Sequence, residues 1–138
     1  MTFAATASDV VYADASALVK AIVEEPESGA VRGYLKSKPV QLVSSKLVVV
    51  ELERAVRIAT ASLAAEAAVV GLLAPVALIA VTDSILDRAR RVEPALLRTL
   101  DAIHLATALE AGAGRMLVYD TSLAGAAVAL GMEIIVPQ

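Results

Sequence analysis

The chain alternates short apolar runs with longer segments of helical periodicity. The mostly apolar runs are residues 10–13, 40–43, 76–81, 116–119 and 133–136. They are continuous rather than alternating, which is typical of strands that are covered on both faces. Because helical segments separate these runs, the pattern predicts an α/β fold in which helices cover both faces of a parallel sheet.

The helical segments have boundaries that the sequence marks. Helices are predicted at residues 15–24, 27–36, 46–61, 63–73, 83–91, 99–111 and 121–130. Ser44 or Ser45 is expected to cap the third helix, and Thr82 or Asp83 the fifth. The longest uncharged run, residues 67–82, is shorter than the roughly 18 residues that a membrane span needs. It is therefore interpreted as a buried helix, a turn and a buried strand.

Composition narrows the class of protein. The 138 residues suit one domain over the whole chain, with residues 1–9 expected to be a disordered extension. A hydrophobic fraction of 58% excludes a disordered chain, and the absence of cysteine excludes disulfides, thiolate metal sites and thiol catalysis. Residues 1–9 lack the basic start of a signal peptide, so a cytoplasmic protein is expected. The net charge of −3 argues mildly against a nucleic-acid binder.

Four acidic residues stand in apolar surroundings. Asp14 and Asp120 each follow a predicted strand, and the carboxyl ends of parallel strands are where ligands bind in such folds. Glu51 and Asp101 interrupt apolar helical segments, where a lone buried carboxylate is costly. A divalent cation would offset their mutual repulsion, and carboxylates without cysteine suit Mg²⁺ or Mn²⁺ better than zinc.

Each acid also has a local interpretation. Asp14 and Asp120 are good helix N-caps, and Asp83 in a similar position is interpreted as a cap only. Glu51 has arginines 54 and 57 on its own helix as partners. Asp101 is in a first helical turn, where the helix dipole favours an acid, and Arg98 precedes it by three residues. The local interpretations are plausible one by one, whereas a metal site accounts for all four acids together.

Four stretches resemble the PIN-domain family, especially the VapC-like toxins of toxin–antitoxin pairs. They are YADASALVK at residues 12–20, VVELERA at 49–55, LRTLDAIHLATAL at 97–109 and YDTSL at 119–123. The third stretch is the most specific, and all four occur in order along nearly the whole chain. The resemblance implies a three-layer α/β/α sandwich with a five-stranded parallel sheet. It also implies a Mg²⁺- or Mn²⁺-dependent endoribonuclease and a cognate antitoxin that blocks the site.

The resemblance assigns roles to individual residues. The family's catalytic and metal-binding acids fall on Asp14, Glu51, Asp101 and Asp120, and Ser16 matches the family hydroxyl beside the first acid. The metal would polarise a phosphodiester and activate a water for attack, leaving a 5′ phosphate. Ser16 and Thr121 are expected to support this site by hydrogen bonds to carboxylates or metal-bound waters.

Other residues are assigned to substrate binding or to structure. The candidates for RNA contacts through phosphates are Arg98, Lys20, Lys46 and Arg54. Since aromatic residues make up only 3% of the chain, a structured RNA recognised by shape is a better candidate than stacked single-stranded bases. The single histidine, His104, is interpreted as a structural residue of its helix rather than a catalytic one.

Other functions account for parts of the sequence pattern. A metal-dependent phosphatase of the haloacid-dehalogenase type needs Asp-x-Asp, and Ser16 stands at the second position. A nucleotide-binding module lacks its glycine-rich sequence after any strand. A non-catalytic interaction protein with the same fold stays open and is separable by a cleavage assay. The apolar helices further predict a homodimer. The shortness of the longest uncharged run predicts no membrane partner.

Overall fold

A computed structural model describes residues 9–37, 41–60 and 62–138. Its sheet has five strands: β1 Val10–Ala13, β2 Gln41–Ser45, β3 Ala77–Ile79, β4 Arg115–Leu117 and β5 Glu133–Ile135. The strands lie in the order β3-β2-β1-β4-β5, and every pair is parallel. The predicted α/β class and five-stranded parallel sheet are confirmed.

In the part of the chain that the structure describes, seven α-helices connect the strands. They are α1 Ala15–Leu18, α2 Ser28–Ser37, α3 Leu47–Ala59, α4 Leu63–Leu73, α5 Asp83–Ala89, α6 Thr99–Glu110 and α7 Thr121–Ala129. A 3-10 helix, Val19–Ala21, extends α1. Pro75 follows α4, and Gly112 after α6 has a φ of +70°, a conformation that glycine adopts without strain.

The core divides into two parts, one on each face of the sheet. Val11, Ala13 and Leu117 pack with buried residues of α1, α3 and α4. Tyr12 and Met116, which point to the opposite face, pack with buried residues of α6 and α7. Successive strand residues thus enter different halves of the core, which explains why each strand is apolar throughout.

Some predicted details were wrong. Residues 15–24 do not form one α-helix, because the helix tightens to 3-10 geometry after Leu18. The α4 helix is not buried on all sides: only Val69 and Leu73 are buried, and Val70 is 70% exposed. Asp83 is the first residue of α5, whose cap is Thr82 through a hydrogen bond from Ile85 N.

Three predictions touch residues that the structure does not describe. The expected N-terminal extension, residues 1–9, lies outside the described chain except for Asp9, and so do the start of the strand at 40–43 and Ala61. Within the described residues, every helix is too short or too polar to cross a membrane.

Candidate active site

The order of the strands brings two of the predicted acids together. Strand β1 is central, and the chain runs from it toward β2 on one side and reaches β4 on the other. The carboxyl ends of β1 and β4 therefore form the switch point at which such sheets bind ligands. Asp14 lies there directly after β1, and its backbone N–H donates to Leu117 O at 3.0 Å. Asp120 lies at the same edge, three residues after β4.

Both of these acids cap helices. Asp14 Oδ2 accepts from Ser16 N at 3.1 Å, and Asp120 Oδ1 accepts from Leu123 N at 2.9 Å. The local interpretation as N-caps is confirmed, but it uses one oxygen of each carboxylate. The other oxygen of each remains near the charged groups of the site: Asp14 Oδ1 lies 3.8 Å from His104 Nε2, and Asp120 Oδ2 lies 3.3 Å from Arg98 Nη2.

Ser16 connects the two edge loops. Its hydroxyl oxygen accepts from the backbone N–H groups of Tyr119 at 2.9 Å and of Asp120 at 3.3 Å. The expected contact with a carboxylate is thus replaced by contacts with the backbone that carries one. Ser16 thereby fixes the position of Asp120 relative to Asp14. Thr121, the other expected supporting residue, has an exposed side chain at the start of α7.

Glu51 contacts a residue that the sequence did not suggest as its partner. Glu51 Oε1 lies 2.6 Å from His104 Nε2, rather than pairing with an arginine of its own helix. On the other side of the ring, His104 Nδ1 lies 2.5 Å from Tyr12 Oη. Because a carboxylate only accepts, the Nε2 proton of His104 points to Glu51. The expected structural role of His104 agrees with its complete burial.

The acids determine the charge of His104. Burial alone lowers the pKa of this imidazole, because it disfavours the charged form. The hydrogen bond with Glu51 and the negative charges of Asp14, Glu51 and Asp101 outweigh burial, so the pKa of His104 is raised above its usual value. The neighbouring acids thus favour the positively charged form of the ring.

Arg98 bridges the remaining two acids. Its Nε donates to Asp101 Oδ2 and its Nη2 to Asp120 Oδ2, both at 3.3 Å. The first contact confirms the proposed local pair of Arg98 and Asp101. The second joins α6 to α7 and was not anticipated. The Arg98 side chain is 77% exposed, whereas that of Asp101 is only 13% exposed, so the guanidinium covers the acids from the solvent side.

The acids are close enough to influence one another. The pKa of Asp101 is raised by burial and by the charges of Asp120 and Asp14, although Arg98 partly compensates. Glu51 and Asp101 also line one concavity of about 390 Å³, together with Arg98, Thr99 and Leu100. The structure therefore brings all four predicted acids close to one another at the sheet edge, and two of them, Glu51 and Asp101, line one opening there.

The cations at this opening belong to the protein itself. A set of carboxylate oxygens without sulfur has the donor chemistry that Mg²⁺ prefers. Among residues 9–37, 41–60 and 62–138, however, no three acidic or histidine side chains already form an arrangement able to hold a metal ion. Arg98 and His104 stand between the acids instead. The carboxylate oxygens suit a hard cation by their chemistry. In this structure, Arg98 and His104 lie between them.

The other three predicted RNA contacts lie in different situations. Lys20 Nζ contacts Glu27 at 2.7 Å and Glu25 at 3.2 Å, and it lies 4.8 Å from the centre of the Tyr119 ring. Its side chain is thus engaged within the protein. Lys46 is exposed at the start of α3, and Arg54 is exposed on the following turns of the same helix.

Two further contacts of the site were not predicted from the sequence. Tyr12 was assigned only to a buried strand, yet its hydroxyl is the second partner of His104. The signal available was a tyrosine inside a strand buried on both faces, since a buried hydroxyl needs a partner. Nothing in the sequence indicated the contact between Arg98 and Asp120, because the two residues are separated by 22 positions.

The fold and the site agree with a family match. The family model described as PIN domain matches residues 11–129. The chain is 44% identical over 130 residues to ribonuclease VapC46 of Mycobacterium tuberculosis, covering 93% of this chain and 98% of that protein. It is 38% identical over 134 residues to ribonuclease VapC35 of the same species, covering 93% and 97%. The chain belongs to the PIN domain family, among its VapC-like members.

Solved structures show the same fold at low sequence identity. The VapC20 toxin of M. tuberculosis, described as cleaving the sarcin–ricin loop, superposes with a TM-score of 0.71 at 20% identity over 84% of this chain and 94% of that one. VapBC2 of Rickettsia felis bound to promoter DNA gives 0.72 at 13% identity over 91% and 97%. A toxin–antitoxin complex from Klebsiella pneumoniae gives 0.69 at 20% identity over 93% and 98%.

Proposed function

We propose that this chain is a Mg²⁺- or Mn²⁺-dependent endoribonuclease and the toxin of a toxin–antitoxin pair that acts on RNA in the cytoplasm. The observation that carries the proposal is the proximity of Asp14, Glu51, Asp101 and Asp120 at the switch point of the sheet, where Arg98 and His104 each lie next to two of these acids. The names of the VapC relatives at 44% and 38% identity support a ribonuclease. The proposal gives the acids a common chemistry that their separate local contacts do not require.

The four acids would bind the metal, and neighbouring residues would hold the acids in position. A bound Mg²⁺ supplies Lewis acidity and neutralises the charge of the reacting phosphodiester. Asp14 and Asp101 are the proposed central ligands, with Glu51 and Asp120 completing the cage directly or through water. His104 fixes the carboxylate of Glu51 from the buried side, while Ser16 fixes the backbone of Asp120.

Arg98 has the exposure that a substrate contact needs. Its guanidinium lies at the solvent side of the acids and offers paired N–H donors that match phosphate oxygens. We therefore assign it to the phosphate next to the bond that is cleaved. Lys46 and Arg54 remain secondary candidates, whereas Lys20 is engaged by two glutamates. A structured RNA is the proposed substrate, in keeping with the description of VapC20.

Two protein partners are proposed, one from the similar solved structures and one from the exposed apolar surface. The toxin–antitoxin complexes of R. felis and K. pneumoniae support a cognate antitoxin that covers the acids. A homodimer is supported by large apolar side chains left exposed on α3 and in α4, with Ile58 87% and Leu63 81% exposed. Exposed apolar surface of this kind is common at protein interfaces. Light scattering of the purified chain measures the oligomeric state.

The experiment that tests the enzyme is cleavage of structured RNA with and without the metal. RNA fragments formed after brief induction, and in vitro with Mg²⁺, are sequenced at their 5′ ends. Asp14→Asn and Asp101→Asn are expected to lower cleavage at least about a hundredfold. Asparagine keeps the capping oxygen at position 14, so the fold is expected to survive. Cleavage that persists in EDTA, or in both variants, contradicts the proposal.

The same experiment distinguishes the ribonuclease from the chief alternative function. A non-catalytic PIN-fold interaction protein is favoured by one observation, the absence of a preformed metal-binding group among the described residues. Such a protein would bind its partner equally well with Asp101→Asn and would cleave no RNA under any metal condition. A phosphatase would instead release inorganic phosphate from small phosphomonoesters.

A further inference from the structure

A second concavity adjoins the acidic site. This groove has a volume of about 510 Å³ and lies between the end of α5, the loop that follows it and the first turns of α6. Its apolar lining includes Leu86, Val92, Leu97 and Ile103. A volume of this size falls in the range of sites for small organic ligands, which is enough for a nucleotide unit. None of the residues assigned to catalysis lines it.

The groove adjoins the opening that Glu51 and Asp101 line. Thr99, the first residue of α6, lines both concavities. On one side of Thr99 are Arg98 and Asp101, and on the other the groove runs toward α5. A chain-like ligand with one phosphate at Arg98 would therefore have its neighbouring units close to the groove.

The rim of the groove carries two exposed arginines. Arg90 and Arg91 line the groove, and their side chains are 72% and 67% exposed. Both contact the same carboxylate, that of Asp87, at 3.1 Å and 2.7 Å. Arg88 is paired separately with Glu110 at 3.0 Å. Glu93 also lines the groove, so Asp87 and Glu93 balance the two arginines in charge. What stays available at the rim is therefore a set of guanidinium N–H donors rather than net positive charge.

We propose that this groove binds the RNA segment that flanks the cleaved bond, with Arg90 and Arg91 contacting its phosphates. The inference rests on the proposed ribonuclease function and extends it to the substrate-binding surface. Arginine pairs well with phosphate oxygens through its planar set of N–H donors. The apolar lining contacts the sugars and base edges. Its described lining residues include no aromatic side chain, so the groove reads backbone position rather than stacked bases.

The test is RNA binding measured apart from cleavage. In the Asp14→Asn background, the dissociation constant of a structured RNA is measured by fluorescence anisotropy over a range of salt concentrations. The double variant Arg90→Gln, Arg91→Gln is expected to bind about tenfold more weakly, and the slope of log K against log salt is expected to fall by about one to two. The matched control is Arg32→Gln together with Arg57→Gln, which removes the same charge elsewhere.

A variant with the opposite charge change is expected to bind RNA more tightly, and unfolding cannot produce such a gain. Asp87→Asn frees both arginines, so RNA is expected to bind several-fold more tightly with a steeper salt slope. If the groove variants bind RNA like the matched control, the inference is overturned while RNA cleavage by the unmodified chain still supports the enzyme. If the unmodified chain neither binds nor cleaves RNA with Mg²⁺, the proposed function itself fails, and this inference with it.

Discussion

His104 Nε2 lies 2.6 Å from Glu51 Oε1, and this contact joins α6 to α3 at the edge of the sheet. The Tyr12 hydroxyl, from the central strand, lies 2.5 Å from the other ring nitrogen. Three elements are thus tied through one fully buried ring. A buried polar group with partners on both sides restricts the neighbouring side chains, so the Glu51 carboxylate is held in place before any ligand arrives.

Replacing His104 by alanine is expected to destabilise the fold and to weaken cleavage. The change leaves a cavity and an unpaired buried Tyr12 hydroxyl, which together cost about 2 to 4 kcal/mol. Urea unfolding measures this loss. Tyr12→Phe is the matched control, since it removes one hydroxyl and keeps the ring, and it is expected to cost about 1 kcal/mol. A His104→Ala variant as stable as wild type would show that the ring does not organise the site.

Asp101 is expected to behave as an acid that the metal-free fold tolerates poorly. Its pKa is raised by burial and by neighbouring acids, so the charged form is less favourable in the folded state than in the unfolded chain. Asp101→Asn should therefore not lower the melting temperature by more than about 3 °C without metal. Added Mg²⁺ at about 100 times its dissociation constant stabilises wild type by about 2.7 kcal/mol. It should leave Asp101→Asn unchanged.

Differential scanning fluorimetry with a Mg²⁺ titration makes both measurements. Asp87→Asn is the control: Asp87 lies outside the site, and its pKa is lowered by Arg91 and Arg90 rather than raised. This variant should keep the full Mg²⁺ shift of wild type. Equal Mg²⁺ shifts in wild type and Asp101→Asn would remove Asp101 from the metal site.

The sequence predicted the positions of the acids because sheet topology determines them. Asp14 and Asp120 follow strands, and parallel strands end at a common edge wherever their order allows. Glu51 and Asp101 were marked by their apolar surroundings, which follow from the packing of α3 and α6 on opposite faces of the sheet. These features depend on local pattern, which a single sequence contains.

The contacts between the acids were harder to predict. Glu51 has two arginines on its own helix, yet it pairs with His104, which is 53 positions away. Local spacing favours the arginines as partners of Glu51 because they are close in sequence. In the fold, the side chains of Glu51 and His104 meet at the edge of the sheet. Ser16 was expected to contact a carboxylate, yet its hydroxyl accepts backbone N–H groups of Tyr119 and Asp120. Only tertiary structure decides which partner is within reach.

Ser16→Ala is expected to loosen the loop that carries Asp120. The variant leaves two partly buried backbone N–H groups without their acceptor, at a cost of about 1 to 3 kcal/mol. Hydrogen exchange should accelerate at the amides of Tyr119 and Asp120, and cleavage should fall because Asp120 is no longer fixed. Ser122→Ala, an exposed residue of α7, is the control. Unchanged exchange at both amides would contradict the assigned role of Ser16.

Arg98 is expected to compete with the metal for the acids. Its guanidinium contacts Asp101 and Asp120, and a cation bound by these carboxylates must replace both contacts. Two ion pairs made by a largely exposed guanidinium contribute about 1 kcal/mol, so Arg98→Ala should bind Mn²⁺ about fivefold more tightly. Isothermal titration calorimetry measures this affinity, and RNA cleavage at saturating metal should fall in the same variant because a phosphate contact is lost.

Arg98→Lys separates the bridge from the charge. Lysine keeps the positive charge, but it lacks the planar pair of donors that contacts two carboxylates at once. If the bridge itself opposes the metal, Arg98→Lys should also bind Mn²⁺ more tightly than wild type, though less so than Arg98→Ala. If Arg98→Lys binds Mn²⁺ like wild type and only Arg98→Ala gains affinity, then the charge at this position, and not its contacts with Asp101 and Asp120, sets the affinity for the metal.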